Sequence, residues 1–246
     1  AFLSPLIKQN KSIGFVPTMG ALHQGHLSLL KNSLSENDVT VMSIFVNPTQ
    51  FNNAEDLDKY PRTLERDVQI MQDLSNNIIV YAPEVADIYE GNTISESFNY
   101  DGLENQMEGK HRPGHFDGVG TIVKRLFEIV QPNKAYFGEK DFQQLQIVKK
   151  LVSKYNIPVD VIGCPIHREA NGLAMSSRNE RLSETAREKA AIIYQILNSA
   201  KEIFQTNSAE QTIKFVENEF KKHPEFELEY FEIADEATLL PVSEKE

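Results

Sequence analysis

The sequence predicts an α/β protein built on a parallel β-sheet, with a smaller α+β region towards its C-terminal end. Short β-branched runs alternate with amphipathic helical segments over about the first two-thirds of the chain, the pattern of βαβ crossovers. One run, VTVMSIFV (39–46), is apolar nearly throughout, as expected of a strand covered on both faces. After about Ser183 the alternation stops, and two helical segments precede a single extended run.

In chain order, SIGFV (12–16) reads as the first strand, and HLSLLKNSL (26–34) then places Leu27, Leu30 and Leu34 on one helical face. The run 39–46 is the second strand. TLERDVQIMQDL (63–74) spaces Leu64, Val68, Met71 and Leu74 for a helix, and IIVY (78–81) returns to strand. GVGTIVKRLFEIV (118–130) is helical, KAYFG (134–138) a strand, DFQQLQIVKKLVSKY (141–155) a helix, and VDVIGC (159–164) a strand. Beyond the loop-rich joint 165–182, a long helix opens with Ser183 as N-cap. A second helix starts at Ser208 with the capping box Ser208-x-x-Gln211, and FELEYFEIA (226–234) reads as a strand. The expected architecture is a Rossmann-like parallel-sheet domain over 1–164 and a smaller C-terminal α+β domain over 165–246. Ligands belong at the carboxyl ends of the parallel strands. The last strand has no obvious partner before the sequence stops, so the second domain is expected to continue.

The chain has 246 residues, 40% hydrophobic and 25% charged; 25 Lys+Arg against 36 Asp+Glu give a net charge of −11. A chain of this length buries roughly 70–75% of its unfolded-state surface and needs no disulfide or metal staple. No run approaches the ~18 apolar residues of a membrane span, so no membrane partner is expected. AFLSPLIKQNKS lacks the apolar core and cleavage site of a signal peptide, and the start at Ala1 suggests a missing leading segment. A lone Cys164 fits a reducing, cytoplasmic location. The acidic balance argues against nucleic acid as a partner, because phosphate neutralisation needs a surplus of Lys and Arg. It leaves room for one basic pocket holding a small anion.

PTMGALHQGH (17–26) directly follows the first strand. Gly20 and Gly25 permit a tight turn and a close approach of backbone to phosphate. His23 and His26 lie where the next helix begins, and a helix N-terminus offers unpaired N–H groups to an anion. The same pair also fits a helix cap at His23 with His26 packed beneath it. Zinc is disfavoured, since Gln24-Gly25 stands where zinc-binding pairs carry Glu. IFVNPTQFN (44–52) brings Asn47, Thr49 and Gln50 to the end of the second strand, where amides suit hydroxyl and carboxylate recognition; alone, it is also an ordinary Asn-Pro turn. FGEKDFQQ (137–144) puts Lys140 within reach of a phosphate across the crevice and Gln144 one turn later, unless Lys140 merely pairs with Glu139 or Asp141. GLAMSSRNERL (172–182) offers Ser176, Ser177 and Arg178 to a triphosphate, and HRPGHF (111–116) adds Arg112 and His115, which also read as a turn and cap. The shared chemistry is anion handling. No Cys or Ser nucleophile with a His–Asp relay stands out, which favours direct phosphoryl or nucleotidyl transfer over an acyl-enzyme.

Taken in order, PTMGALHQGH, IFVNPTQF, YPRT, HRPGHFDGV, FGEKDFQQL and GLAMSSRNERL closely resemble the pantoate–β-alanine ligase (pantothenate synthetase) family, within the wider H-x-G-H nucleotidylyltransferase superfamily. The matches run from about residue 13 to 182. The resemblance implies a ligase in which ATP and (R)-pantoate give pantoyl adenylate and pyrophosphate, and β-alanine then displaces AMP to give pantothenate. By motif position the ATP site would comprise Met19, Gly20, Ala21, Leu22, His23, Gln24, Gly25 and His26. Gly138, Glu139, Lys140 and Asp141 would join it, with Met175, Ser176, Ser177 and Arg178, and with His167 through its backbone. His26 would be the proton donor and His23 a second phosphate contact, while Lys140 and Arg178 would meet phosphate charge. Gln50 and Gln144 would bind pantoate, Gln50 also facing β-alanine; Asn47, Arg112 and His115 are further substrate-binding candidates. Pro17, Met19 and Phe137 would offer an apolar wall to pantoate's methyl groups, and Asp67 would help hold Mg²⁺. Asn171 stands where the family pattern has Asp, and would only adjust the joint. The family chain continues past Pro241, the second domain is expected to close as a lid, and a homodimer is expected. Two other readings stand beside this one. A dinucleotide-forming nucleotidylyltransferase has no use for the paired glutamines, and a silent nucleotide-binding regulator would not need every catalytic position filled.

Overall fold

The computed structural model describes residues 3–243. Its elements run α1 (Ser4–Lys8), β1 (Ile13–Thr18), α2 (Gln24–Glu36), β2 (Val39–Ile44), α3 (Ala54–Asp58), α4 (Leu64–Leu74), β3 (Ile78–Tyr81) and α5 (Val85–Tyr89). They continue with α6 (Met107–His111), α7 (His115–Val130), β4 (Lys134–Gly138), α8 (Phe142–Lys154), β5 (Asp160–Cys164), α9 (Glu184–Lys189), α10 (Ala191–Phe204) and α11 (Ala209–Phe220). Among the described residues five strands form one parallel sheet in the order β3-β2-β1-β4-β5. β1 pairs with β2 from Ile13 opposite Val39 to Thr18 opposite Ile44, and with β4 at Phe15 opposite Ala135. The chain thus runs outward from β1 to β3, returns to the centre, and runs outward again to β5. The reversal lies between the carboxyl ends of β1 and β4, where an open α/β sheet leaves a crevice for a ligand.

The central strands are buried because helices cover both faces. Val16 and Met42 pack with Leu29 and Leu30 of α2, Met71 of α4 and Tyr136 of β4. Phe15 meets Phe127 of α7 edge-on, with ring centroids 6.2 Å apart. Each such side chain, fully buried, contributes about 1.5–3 kcal/mol of transfer free energy. The helices α1, α3, α5 and α6 are five residues each, too short to leave a 3.6-residue period in the sequence.

The chain divides into two compact units. The first runs up to His167 and includes Met175–Arg178; the second comprises Arg168–Ala174 and the chain from Asn179 on. A single cut after Cys164 therefore misassigns the Met-Ser-Ser-Arg segment, which sits with the sheet. In the second unit α10 and α11 pack through Ile196, Ala200 and Val216, with Phe215, Leu228 and Phe231 against them. The capping box at α11 forms: Ser208 N–H donates to Gln211 Oε1 at 3.0 Å, and Gln211 N–H to Ser208 Oγ at 3.2 Å. Two expectations for this unit change. The long helix after Ser183 is two helices meeting at Ala190, which keeps right-handed helical geometry at ψ −14° and tightens the turn. The 226–234 segment is not a strand. Its burial alternates, with Phe226, Leu228 and Tyr230 half-buried and Glu227 and Glu229 exposed, but its one pairing is the bridge Ala234–Pro241. The pattern that suggested a ladder reflects an extended segment laid across helices.

Candidate active site

At the reversal point a cavity of about 280 Å³ opens between the ends of β1 and β4. Pro17 and Thr18 line it at the end of β1 and Met19 just beyond, His23 and His26 at the cap and first turn of α2, and Asn47 and Gln50 after β2. Lys140, Asp141 and Gln144 line it after β4, and Met175, Ser176 and Arg178 complete it within the same unit.

The two histidines cap α2 and fix each other. Gly25 N–H donates to His23 Nδ1 at 3.1 Å, and His23 N–H donates to His26 Nδ1 at 3.2 Å. The rings lie 4.0 Å apart between centroids. A nitrogen that accepts carries no proton, so both imidazoles are neutral and hold their proton on Nε2. Burial, then the neighbouring His23 and Lys140, push the His26 pKa down to about 3. Near pH 7 His26 is thus a neutral imidazole that offers an N–H donor at Nε2.

Gln50 sits in a 3₁₀ turn, Pro48–Gln50, against α7. The helix comes this close only at glycine: a Cβ on Gly118 would lie 2.4 Å from the Thr49 carbonyl oxygen and 2.8 Å from Gln50 Cα. The Gln50 carbonyl accepts from His115 Nδ1 at 2.8 Å and from Arg112 Nη2 at 3.2 Å. Burial, then Arg112, hold the His115 pKa below its ordinary value. His115 and Arg112 line the cavity, and both grip this backbone turn through the Gln50 carbonyl. Asn47 is buried with every polar side-chain atom engaged: Nδ2 with Gly118 O and Gln50 Oε1, Oδ1 with Tyr89 and Thr49. It holds these neighbours in place from the cavity lining, where it is expected as a substrate contact. The Gln144 side chain, by contrast, lines the cavity with no hydrogen bond to any described residue.

On the other side Lys140 Nζ rests on Asp141 at 3.2 Å, and Arg178 Nη2 on Asp56 at 2.7 Å with its guanidinium 5.4 Å from the Tyr60 ring centroid. Exposed pairs of this kind are worth about 0–1 kcal/mol and exchange readily for phosphate.

Four expected ligands have other work. Asp67 is fully buried; its carboxylate accepts from Ala21 N–H at 2.9 Å, Leu22 N–H at 2.8 Å and Thr63 Oγ1 at 3.2 Å. These bonds hold the left-handed turn at Gly20 (φ +86°) and Ala21 (φ +51°), a geometry costly for residues with a Cβ. Ser177 Oγ donates to the Ala21 carbonyl at 3.0 Å, closing the same turn. The Ala21 and Leu22 amides and the Ser177 hydroxyl are therefore engaged inside the protein, although Ser177 itself lines the cavity. Asp67 does not fit a magnesium site, and no cluster of three His, Cys, Asp or Glu among the described residues does. Mg²⁺ keeps several waters and phosphate oxygens in nucleotide sites, so such an ion needs no protein cage. Gly20, Gln24, Glu139 and His167 do not line the cavity; of the His167 backbone, expected as a contact, the carbonyl accepts from Met175 N–H at 3.0 Å. Asn171 lies in the second unit, where its Oδ1 accepts from Leu173 N–H at 3.1 Å.

Sequence reasoning misses Tyr60, buried in the cavity wall, and the stripe Val119, Ile122, Val123 and Leu126 of α7. That i, i+3, i+4, i+7 spacing signals an apolar face, and nothing in periodicity separates a core face from a cavity wall.

The family described as pantoate-beta-alanine ligase matches this chain over residues 1–246. The pantothenate synthetase of Flavobacterium psychrophilum is 66% identical over 244 residues, covering 99% of this chain and 86% of that protein. The crystal structure of the pantothenate synthetase from Thermus thermophilus superposes with a TM-score of 0.90 at 43% identity, over 95% of this chain and 85% of that one. The pantoate-beta-alanine ligase from Francisella tularensis, complexed with beta-gamma ATP and beta-alanine, superposes with a TM-score of 0.76 at 43% identity, over 85% of this chain and 78% of that one.

Proposed function

We propose, from the premise that this chain belongs to the pantoate–β-alanine ligase family, that its cavity condenses (R)-pantoate with β-alanine at the expense of ATP. A carboxylate is a poor acylating agent, and adenylation equips it with AMP as a leaving group. A pantoate carboxylate oxygen attacks the α-phosphorus, the bond to the pyrophosphate oxygen breaks, and pyrophosphate leaves with the electron pair. The β-alanine amine then attacks the acyl carbon, the C–O bond to AMP breaks, and the amine loses its proton to solvent.

The observation that carries this reading is the meeting of two kinds of groups in one cavity. His23, His26, Lys140 and Arg178 suit phosphate, while Gln50 and Gln144 over an apolar wall suit a hydroxy acid with paired methyl groups. The Nε2–H groups of His23 and His26 and the Lys140 ammonium meet the charge that builds on the phosphate oxygens; donors fixed before the charge develops cost no reorganisation. Gln50 and Gln144 read the pantoate oxygens, and Val119 and Ile122 face its methyl groups and limit water around the adenylate. A magnesium ion, if it comes with ATP, would supply countercharge to the phosphates without a ligand from Asp67. A coupled assay tests the reading: AMP and pantothenate should appear in equal amounts and only with ATP, pantoate and β-alanine all present. A dinucleotide product, or AMP release indifferent to β-alanine, would refute it. We further propose a cytoplasmic homodimer, for which light scattering should give twice the monomer mass.

A further inference from the structure

We propose that Tyr89 is a positioning residue for pantoate: from outside the cavity it sets, through Asn47, which end of the Gln50 carboxamide faces the substrate. The inference rests on the assignment of Gln50 to pantoate and deepens it.

Tyr89 closes α5, is buried, and does not line the cavity. Its hydroxyl lies 2.6 Å from Asn47 Oδ1 and 2.8 Å from Thr49 Oγ1. The Arg125 guanidinium sits 4.7 Å from the centroid of its ring and donates to the Ile88 carbonyl at 2.6 Å, which fixes the ring from behind. Burial raises the pKa of the phenol, so the hydroxyl keeps its proton to donate.

The direction of the chain follows from one group that has no choice. The Gly118 carbonyl can only accept, and it lies 3.2 Å from one end of the Asn47 carboxamide, so that end is the NH₂. The other end is the carbonyl, and it takes the Tyr89 proton. The same Asn47 NH₂ lies 3.2 Å from the Gln50 carboxamide, which must present its oxygen there, since two NH₂ groups cannot bond each other. Gln50 Nε2 is therefore turned the other way, 3.4 Å from Met19 Sδ on the cavity wall, with N–H to offer. A donor at this point suits the carboxylate or hydroxyl oxygens of pantoate. Gly118 and Tyr89 hold the two ends of Asn47, and so Gln50 is oriented before any substrate arrives. Preorganisation of this kind acts on affinity by lowering the ordering cost of binding.

Tyr89→Phe keeps the ring and its packing and removes only the hydroxyl. Calorimetry should show the Kd for pantoate rising about threefold to tenfold, the scale of one buried hydrogen bond, while that for a non-hydrolysable ATP analogue stays within about twofold. In a Gln50→Ala background the same change should move pantoate Kd no further, because Tyr89 acts only through Gln50. Thr49→Val, which removes the hydroxyl beside that of Tyr89, should give the same split on a smaller scale and serves where Tyr89→Phe does not fold. Unchanged pantoate affinity in Tyr89→Phe, equal weakening of both ligands, or additive effects in the double variant would each overturn the proposal. Gln50→Ala that binds pantoate normally is a different failure: it removes Gln50 from the pantoate site, and the relay loses its object.

Discussion

On the Gln50 side of the cavity the polar groups are committed to one another: Asn47 is bonded at both ends, and His115 and Arg112 hold the Gln50 carbonyl. Across the cavity Lys140 and Arg178 rest on Asp141 and Asp56 in exposed pairs. The difference matches two kinds of recognition. A small hydroxy acid is told from its analogues by donors and acceptors whose directions are fixed in advance, because a mismatch strands a buried polar group. A triphosphate that must lose pyrophosphate needs cations that can move from a weak partner to a strong one. The histidine pair shares features of both, since its directions are locked by backbone amides while, in the proposed function, its Nε2–H groups serve phosphate.

The comparison breaks most visibly where charge is lost. Lys140→Ala and His26→Ala should each slow adenylate formation by about 10²–10³, the effect of removing one preorganised donor to developing charge. Single-turnover measurement on folded variants checks this, and near-normal rates would end these assignments. Asp67→Ala should instead act on stability, by about 2–4 kcal/mol, because it leaves the buried Ala21 and Leu22 N–H groups without their acceptor; denaturant unfolding reads it. Gln144→Ala should weaken pantoate by about 1–3 kcal/mol and leave ATP affinity nearly unchanged, as seen by calorimetry.

The smallest effect is on pH dependence. His26 has a folded-state pKa near 3, below its ordinary 6.5, so the unfolded chain binds the extra proton first. Its contribution to stability is complete above about pH 6.5 and is lost as pH falls towards 3; His115, also lowered, adds in the same direction. The fall in Tm between pH 7 and pH 4.5 should therefore be shallower in His26→Gln than in the parent protein.

The sheet is legible in the sequence because its strands are short apolar runs between periodic helices, and the ligand loops follow those strands. His23, His26, Gln50, Lys140, Gln144 and Arg178 all meet in the cavity, as positions after strands suggest for all but Arg178, which comes from the joint. What stays hidden is what each polar group is bonded to. Asp67 looks like a metal ligand because its partners are backbone amides 45 and 46 residues away, which leave no mark on residue type. Arg112 and His115 sit where an anion-binding pair is expected, yet both bond a main-chain carbonyl, and Arg112 also pairs with Glu108. The α7 stripe is legible as apolar, but only the fold shows that part of it faces a cavity. In the second unit the alternation over 226–234 is real, and that it finds no neighbouring strand among the described residues is a tertiary fact.

The central claim is that the acyl group travels on AMP, since the cavity offers phosphate-directed donors and two oriented carboxamides. The most direct measurement is exchange of labelled pyrophosphate into ATP with pantoate present and β-alanine withheld. Pantoate-dependent exchange, stopped by adding β-alanine as the adenylate drains to pantothenate and AMP, is the predicted result. A folded protein that binds both ATP and pantoate but shows no such exchange would contradict it.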